Sequence, residues 1–222
     1  MTPQHIRKDR RSIRTSRVEN TSRSFLSPIA GCPPLRDNQL MTSPELRTLI
    51  PAAEIRKRVG ELGREIKSDY PDQQDEPPLH LVAVLKGACV FVADLARAVR
   101  RDVTLDFIGV SSYGSDVETS GHVRITKDLD EDIAGRDVLL VEDVVDTGLT
   151  LRYLLEVLQQ REPRSLRVAT LLDKPSRRKV EVELSYVGFE IPDEFVVGYG
   201  LDLDQRFRNL PDVRATGPEP EE

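Results

Sequence analysis

Acidic and hydroxyl-bearing residues are concentrated in residues 138–151, VLLVEDVVDTGLTL, of the 222-residue chain. Loop N–H groups followed by a helix N-terminus can hold a phosphate group. The acids of the segment would repel a phosphate, so they must face hydroxyl groups, a metal ion or a proton to be accepted. Without a ligand, three carboxyls so close together at a buried strand end would repel one another. The segment therefore predicts a site for a phosphorylated ligand.

The elements around this segment would hold it in place. Residues 138–141 predict a buried strand of a parallel sheet, and the leucines that follow predict an amphipathic helix, at Leu151, Leu154, Leu155 and Leu158. Similar patterns predict helix 52–66, strand 79–85, a helix ending near residue 99, and strands 105–110, 123–127, 166–172, 180–184, 186–191 and 195–199. This order favours an α/β fold with a mostly parallel sheet covered by helices on both faces.

Polar candidates follow several of the predicted strands. Lys86 comes after the first strand, Ser112 and Tyr113 after the second, and Lys174 after residues 166–172. Ligands bind such sheets at the carboxyl ends of the strands. We therefore expect these side chains near the acids of residues 138–151. His80 lies within a strand, and we expect it to be packed rather than catalytic.

Two other interpretations of the acidic segment remain open. Residues 146–148, Asp-Thr-Gly, also match the catalytic tripeptide of aspartic proteases, in which two carboxylates share a proton. The preceding acid pair and the following helix fit that fold poorly. The segment could also be an ordinary strand–turn–helix whose acids have no function.

The composition, with 38% hydrophobic and 32% charged residues, is that of a soluble globular protein. No apolar run approaches the ~18 residues of a membrane helix. The net charge of −6 gives no reason to expect nucleic-acid binding. Cys32 and Cys89 lack metal-ligand spacing, and nothing favours disulfides. We expect a cytoplasmic protein without membrane or nucleic-acid partners.

Composition also divides the chain into three regions. Residues 1–40 are rich in Arg, Ser and Thr and lack a helix or strand period, so we expect a disordered basic leader. Met41 begins a sequence that looks like a complete N-terminus, so the leader could be a start-site artefact, and a transit peptide or a nucleic-acid-binding tail are alternatives. Residues 41–210 carry the domain, and we expect residues 211–222 to be a disordered acidic tail.

Residues 138–151 resemble the phosphoribosyl pyrophosphate (PRPP) motif of the type I phosphoribosyltransferases, in which a hydrophobic strand precedes two acids, two hydrophobic residues and Asp-Thr-Gly-x-Thr. Within this family, residues 46–210 are similar to the hypoxanthine-guanine phosphoribosyltransferases, most specifically at residues 187–202, VGFEIPDEFVVGYGLD. The resemblance implies a mostly parallel five-stranded sheet flanked by helices, with a small hood over the site.

The activity implied by this resemblance is purine salvage. PRPP and Mg²⁺ would serve to transfer a 5-phosphoribosyl group to N9 of hypoxanthine or guanine, which gives IMP or GMP and pyrophosphate. One alternative is an enzyme that prefers xanthine or guanine, and another is a PRPP-sensing regulatory protein. Members commonly form dimers or tetramers, so we expect a homodimer or homotetramer.

The resemblance also implies roles for individual residues. Asp146 would be the catalytic residue that accepts the proton of purine N7. PRPP would be bound by Lys86, Gly87, Glu142, Asp143, Val145, Asp146, Thr147, Gly148, Leu149, Thr150 and Arg208. The purine would be bound by Val144, Lys174, Phe195, Val196 and Asp202. The metal ligands would be Glu142, Asp143 and Asp202. Ser112 and Tyr113 would lie on a loop that closes over the site.

Finer features are implied as well. Lys174 would donate to the exocyclic O6 of the purine, and Phe195 would stack on its ring. The peptide bond between Leu85 and Lys86 can be cis in the family. Two positions depart from the family pattern: Leu149 stands where many members carry lysine, and Ala88 replaces the second glycine of Leu-Lys-Gly-Gly.

Overall fold

The computed structural model of this chain describes residues 45–71, 77–112 and 123–217. The predicted leader and Tyr113 lie outside these ranges. The described elements are β1 (Leu46–Ile50), α1 (Ala52–Asp69), β2 (Leu79–Leu85), α2 (Ala88–Val99), β3 (Val103–Ser112), β4 (Val123–Lys127), β5 (Asp137–Val145), α3 (Leu149–Gln159), β6 (Ser165–Asp173), a 3-10 turn (Pro175–Arg177), β7 (Tyr186–Glu190), β8 (Val196–Val197) and β9 (Val213–Thr216).

The main sheet has six strands in the order β4-β3-β2-β5-β6-β7. The pairs from β3 to β7 are all parallel, which confirms the predicted fold class. The edge strand β4 pairs antiparallel with β3 and brings the total above the five strands implied by the resemblance. A second, antiparallel sheet in the order β1-β9-β8 forms the expected hood.

Alternation along the central strands builds a core on each face of the main sheet. Leu139 and Val141 of β5 pack with α1 and α2, whereas Val138 and Leu140 pack with α3. Successive side chains of a strand point to opposite faces, and in a parallel sheet both faces are covered, so the apolar run at 138–141 is continuous. Within the described ranges, none of the helices is both long and apolar enough to cross a membrane.

The C-terminal segment corrects one prediction. Residues 211–217 do not belong to a disordered tail, because β9 lies there and pairs with both β1 and β8. Val213 and Ala215 are fully buried. The segment looks polar because only its inward-facing residues are apolar, and a strand of four residues gives too short a pattern to recognise. Strand β1 was missed for the same reason.

Residues 180–184 also differ from the prediction, because they form no strand. The N–H groups of Lys179 and Val180 instead donate to the carbonyl of Thr147, at 3.0 and 3.3 Å. Their alternating pattern arises because Val182 and Leu184 are partly buried against the core on the α3 face of the sheet, whereas Glu181 and Glu183 are exposed.

Candidate functional site

The candidate site lies at the carboxyl ends of β2, β5 and β6, which are neighbours in the main sheet. The pairing of β5 with β2 ends at Val141, opposite Ala83, whereas its pairing with β6 continues to Val145, opposite Asp173. The sequence predicted that the strand ends before Glu142 and Asp143. Both residues instead lie inside β5. They sit where β2 has separated from β5, and this opening admits a loop.

That loop is the turn after β2, which approaches Asp143 closely. A Cβ atom on Gly87 would lie 1.5 Å from Oδ2 of Asp143, so only glycine allows this contact. The preceding Leu85–Lys86 peptide bond is cis, in agreement with the resemblance. Ala88 is the first residue of α2. Its replacement of glycine is therefore compatible with the local backbone.

The phosphate loop, residues 146–150, connects β5 with α3. Gly148 adopts φ of +82° immediately before the helix, a conformation that glycine reaches without steric cost. The N–H groups of the first helical turn have no partner within the helix and carry the positive end of its dipole. A cavity of about 100 Å³ opens here, lined by Glu142, Val144, Val145, Asp146, Thr147, Gly148, Thr150 and Leu151. The loop can therefore hold a phosphate group.

The two acids of β5 are electrostatically unusual. Glu142 is only 6% exposed. Burial, and then the neighbouring charge of Asp143, raise the pKa of Glu142 well above its ordinary value. Burial also raises the pKa of Asp143, although the Val144 N–H donates to its carboxylate at 2.8 Å and Arg208 lies nearby. A buried carboxyl pair with raised pKa is characteristic of functional sites.

Cationic and polar side chains gather beside Asp143. Arg208 pairs with Asp202 at 2.6 Å and donates to the Gly200 carbonyl at 2.7 Å. Lys86 Nζ donates to the side-chain oxygen of Gln205 at 3.1 Å, and Arg208 reaches the same oxygen at 3.3 Å. Lys86 and Arg208 thus share one acceptor next to the acids. Two adjacent cations of this kind could bind a diphosphate.

The predicted metal ligands do not assemble into a protein cage. Within residues 45–71, 77–112 and 123–217, no three His, Cys, Asp or Glu residues lie close enough together to hold a metal ion. Asp202 is engaged by Arg208 and by the N–H of Gln205. Mg²⁺, however, keeps several waters and commonly uses one or two carboxylates together with substrate phosphates. The carboxylate oxygens of Glu142 and Asp143 fit that mode of binding.

Asp146 lies at the start of the phosphate loop with its side chain partly exposed. Arg177 Nε donates to its Oδ1 at 3.0 Å, and Arg178 Nη1 donates to its backbone carbonyl at 2.9 Å. Arg178 also pairs with Asp173, the last residue of β6. Arg178 thereby links Asp146 to the end of β6, the neighbouring strand of the sheet. The aspartic-protease interpretation requires a second carboxylate that shares a proton with Asp146. The side chain that contacts the Asp146 carboxylate is instead an arginine, Arg177.

The base wall comprises Lys174, Phe195 and Val196. Lys174 is 8% exposed, and its Nζ donates to the carbonyl of Glu194 at 2.7 Å. Phe195 is 53% exposed, whereas Val196 is buried and pairs with Ala215 of β9. An exposed aromatic ring next to a buried, anchored lysine offers a surface on which a flat heterocycle could stack.

The base wall depends on the strand that the sequence did not predict. The N–H of Thr216 donates to the Phe195 carbonyl at 2.9 Å. β9 therefore fixes the backbone that carries the exposed ring. The pattern of residues 187–202 alone would not place this ring, because its backbone support comes from β9, at residues 213–216.

Other predicted positions have clear locations. Ser112 is the last residue of β3 and pairs with Val123 of β4. Its role in a closing loop stays a prediction. His80 is fully buried at the opposite end of β2, with Nδ1 2.7 Å from the Thr104 hydroxyl. Burial lowers its pKa. This location agrees with a packed histidine rather than a catalyst.

Three residues of the site were not predicted: Gln205, Arg177 and Arg178. The two arginines had a signal, because they belong to a cationic run, KPSRRK, directly after a strand. Gln205 had none. It is a neutral residue in a turn, and it contacts Lys86 only because the segment after Gly200 folds back over the turn after β2.

Comparison with known proteins places this arrangement in context. The model of the phosphoribosyl transferase domain matches residues 51–204. The hypoxanthine-guanine phosphoribosyltransferase of Mycobacterium avium is 56% identical over 172 residues, which cover 77% of this chain and 85% of that protein.

Solved structures agree with these sequence matches. The hypoxanthine-guanine phosphoribosyltransferase of Bacillus anthracis superposes with a TM-score of 0.72 at 45% identity, and the match covers 78% of this chain and all of that one. A hypoxanthine phosphoribosyltransferase of Trypanosoma cruzi, studied for the role of its C-terminal region in oligomeric state and enzymatic activity, superposes with a TM-score of 0.73 at 43% identity. That match covers 78% of this chain and 92% of the other.

Proposed function

This chain belongs to the phosphoribosyl transferase family, and on that premise we propose that it is a purine salvage enzyme. It transfers the 5-phosphoribosyl group of PRPP to N9 of hypoxanthine or guanine, which gives IMP or GMP and pyrophosphate. The similarity to hypoxanthine-guanine phosphoribosyltransferases over most of both chains supports this activity. The observation that carries it is the meeting of the phosphate loop, the buried acids and an exposed aromatic ring at one edge of the sheet.

The phosphate loop receives the 5′-phosphate of PRPP. Its donors are the N–H groups of residues 147–150 and the hydroxyls of Thr147 and Thr150, next to the cavity of about 100 Å³. Glu142 lines the same cavity and faces the ribose hydroxyls with Asp143. A carboxylate with a raised pKa accepts a hydroxyl donor readily, because the hydrogen bond stabilises the charged form that burial disfavours.

The diphosphate lies on the other side of Asp143, against Lys86 and Arg208. Glu142, Asp143 and Asp202 would provide oxygens that hold Mg²⁺ together with water and the substrate, since Mg²⁺ is commonly bound by few carboxylates and by substrate phosphates. The bound ion would supply positive charge to the departing pyrophosphate.

Asp146 accepts the proton of purine N7 as N9 bonds to the ribose. Lys174 donates to the exocyclic O6 of the purine. Adenine carries an amino group at this position and offers no such acceptor, so the site selects 6-oxopurines. Phe195 stacks on the ring, and the backbone of Val196 contacts its edge. A lysine at O6 does not separate hypoxanthine, guanine and xanthine, which differ at C2. A preference for xanthine or guanine within the same mechanism is not favoured, because the relatives are hypoxanthine and hypoxanthine-guanine phosphoribosyltransferases.

We propose two further properties, the cellular location of the enzyme and its oligomeric state. The enzyme works in the cytoplasm, as the sequence predicts. It assembles as a homodimer or homotetramer, as the family resemblance implies, and oligomeric state has been studied in the Trypanosoma cruzi relative. A sensor without catalysis is not favoured, because such a protein would be expected to lose Lys86, Asp146 or Phe195, and this chain carries all three.

A spectrophotometric assay tests the proposal. The purified enzyme is given PRPP and Mg²⁺ with hypoxanthine, guanine, xanthine or adenine, beside the variant Asp146→Asn. We expect turnover of hypoxanthine or guanine and none of adenine. The variant should lose about 100-fold in kcat with little change in the KM for PRPP, because an amide cannot accept the N7 proton.

Asp132→Asn is the matched control. Asp132 lies in the loop before β5, where its carboxylate accepts the Ala134 N–H at 3.1 Å, a bond that asparagine can keep. This variant should match the original enzyme. Turnover of xanthine alone would preserve the mechanism and change the substrate. Binding of PRPP without turnover of any purine would refute the proposed activity.

A further inference from the structure

Arg177 connects two parts of the site that different segments supply. Its Nε donates to Oδ1 of Asp146 at 3.0 Å, and its Nη1 donates to Oδ2 of Asp193 at 3.4 Å. Asp146 begins the phosphate loop, while Asp193 lies two residues before Phe195. One guanidinium thus touches the catalytic acid and the loop that carries the base-stacking ring.

The contacts around Arg177 show that this connection is part of a larger support. The neighbouring Arg178 donates to the Asp146 carbonyl at 2.9 Å, and Lys174 donates to the Glu194 carbonyl at 2.7 Å. The bridge segment, residues 174–178, therefore holds Asp146 through two arginines and the Phe195 loop through Lys174 and Arg177. It follows β6 directly and is anchored to the neighbouring strand β5, since its first N–H donates to the Val145 carbonyl at 3.0 Å.

We propose that Arg177 is a positioning residue for the phosphoribosyl transfer. It holds Oδ1 of Asp146 so that Oδ2 is presented to purine N7, and through Asp193 it fixes the distance between that carboxylate and the ring of Phe195. This inference rests on the proposed function. Arg177 lies outside the phosphate loop, the acid pair and the base wall. Its ion pair with Asp146 resembles an ordinary surface ion pair, but we infer that it affects the rate of the reaction.

The chemistry of arginine explains why this residue type is needed. A guanidinium is planar and presents its donors in a fixed fork, so one side chain can address two carboxylates in a set geometry. A lysine is a point charge on a flexible stem, so its donors do not hold two carboxylates in a set geometry. Arg177 is 47% exposed, and exposed ion pairs contribute little to folding stability, so its loss should affect geometry more than folding.

Placement of a catalytic group matters steeply for rate. A misplacement of about 1 Å can cost up to 100-fold, because the reacting atoms no longer meet in an aligned geometry. Asp146 keeps its backbone anchor from Arg178 when Arg177 is removed. The displacement should therefore be partial, and the expected loss is about tenfold in kcat rather than the loss of the acid itself.

The test compares four variants: Arg177→Gln, Arg177→Lys, Asp193→Asn and the control Arg152→Gln. Arg152 lies on α3, pairs with Glu156 at 3.2 Å and is 57% exposed, so it reproduces the chemistry of Arg177 away from the acid and the ring. We measure kcat, the KM values for PRPP and for the purine, and melting temperature, with kcat referred to the fraction of protein that binds PRPP.

Arg177→Gln should lose about tenfold in kcat and raise the purine KM, while the KM for PRPP stays within twofold. Arg177→Lys should recover part of kcat, because it restores the contact to Asp146, but not the purine KM, which needs the contact to Asp193. Asp193→Asn should change the purine KM more than kcat. Arg152→Gln should match the original enzyme in every measurement.

Two outcomes would overturn the inference. If Arg177→Gln and Arg152→Gln have the same constants, Arg177 does not position Asp146. If Arg177→Gln lowers the melting temperature, and the fraction of protein that binds PRPP falls in proportion to activity, the role of Arg177 is structural only. Both differ from failure of the proposed function, in which the original enzyme would bind PRPP and turn over no purine.

Discussion

The phosphate loop and the base wall are proposed to serve the same reaction, but they are built in opposite ways. The phosphate loop is one uninterrupted stretch between β5 and α3, and it presents mainly backbone N–H groups. The base wall takes Lys174 from the end of β6, Phe195 and Val196 from the hood, and its backbone support from β9. One region is local in sequence, and the other exists only after distant segments have packed.

This contrast explains which residues each region can exchange. A phosphate site made of N–H groups depends on the backbone conformation. The glycine that makes the turn is therefore required, whereas the other side chains of the loop can change. Leu149 is a position at which we expect such tolerance. A wall made of side chains requires each of them to be held in place, so it depends on residues that never touch the substrate, such as Thr216.

The largest expected effect lies in the backbone of the phosphate loop. Gly148→Val places a β-branched residue at φ of +82° and a Cβ atom 2.9 Å from the Val180 carbonyl. We expect a loss of about 100-fold in kcat/KM for PRPP, since a displaced loop misaligns the phosphate.

Leu149→Ala is the matched variant for that substitution. It changes the next side chain without altering the backbone requirement, so it should stay within about threefold of the original enzyme. Steady-state kinetics with PRPP as the varied substrate measures both variants. If Leu149→Ala were as damaging as Gly148→Val, side chains rather than backbone would make the cradle.

The second prediction concerns the base wall and its remote support. A chain that ends at Leu210 lacks β9, whereas a chain that ends at Gly217 retains it. The shorter chain should lose stability, because the buried Val213 and Ala215 are gone. Among molecules that still bind PRPP, the KM for the purine should rise about tenfold, since Phe195 has lost its anchor.

A point substitution separates anchoring from folding in that experiment. Thr216→Pro removes the N–H and the hydroxyl that both donate to the Phe195 carbonyl, at 2.9 and 3.3 Å. The loss of two such bonds costs about 2 kcal/mol, so the chain should still fold. A modest increase in the purine KM at constant PRPP KM is expected, and an unchanged purine KM in both chains would show that the ring does not depend on β9.

The smallest expected effect is a gain in stability. Because the pKa of Glu142 is raised by burial, the folded state holds its proton more tightly than the unfolded state, and stability falls as pH rises between the two pKa values. Glu142→Gln removes this cost. Without PRPP and with a chelator present, the variant should melt higher at pH 8, by roughly 2–4 °C for about 1 kcal/mol.

The pH dependence provides the control for this variant. As pH falls towards the ordinary range of glutamic acid, the carboxyl is protonated in both states and the difference in melting temperature should shrink. Activity should fall, because glutamine neither carries charge towards Mg²⁺ nor accepts as strongly from ribose hydroxyls. A lower melting temperature at pH 8 would mean that the Glu142 carboxylate has a stabilising partner in the folded chain.

Much of this protein follows from its sequence because the relevant signals are local. Buried parallel strands read as continuous apolar runs, as at residues 138–141, and the helical spacing of Ile55, Val59, Leu62 and Ile66 marks α1. The phosphate loop needs only its own residues and the helix that follows. The order of these elements then restricts the topology to a mostly parallel sheet with the acids at its carboxyl edge.

Tertiary structure alone decided the rest, and the reason is physical. The antiparallel strands of the hood are too short to show a period, and their pairing joins residues at opposite ends of the described chain, Leu46 with Thr216. The contacts of Arg177 with Asp146 and Asp193, and of Gln205 with Lys86, join side chains from separate segments. Sequence determined the backbone of the phosphate loop, and packing between distant segments determined where the side chains of the base wall lie.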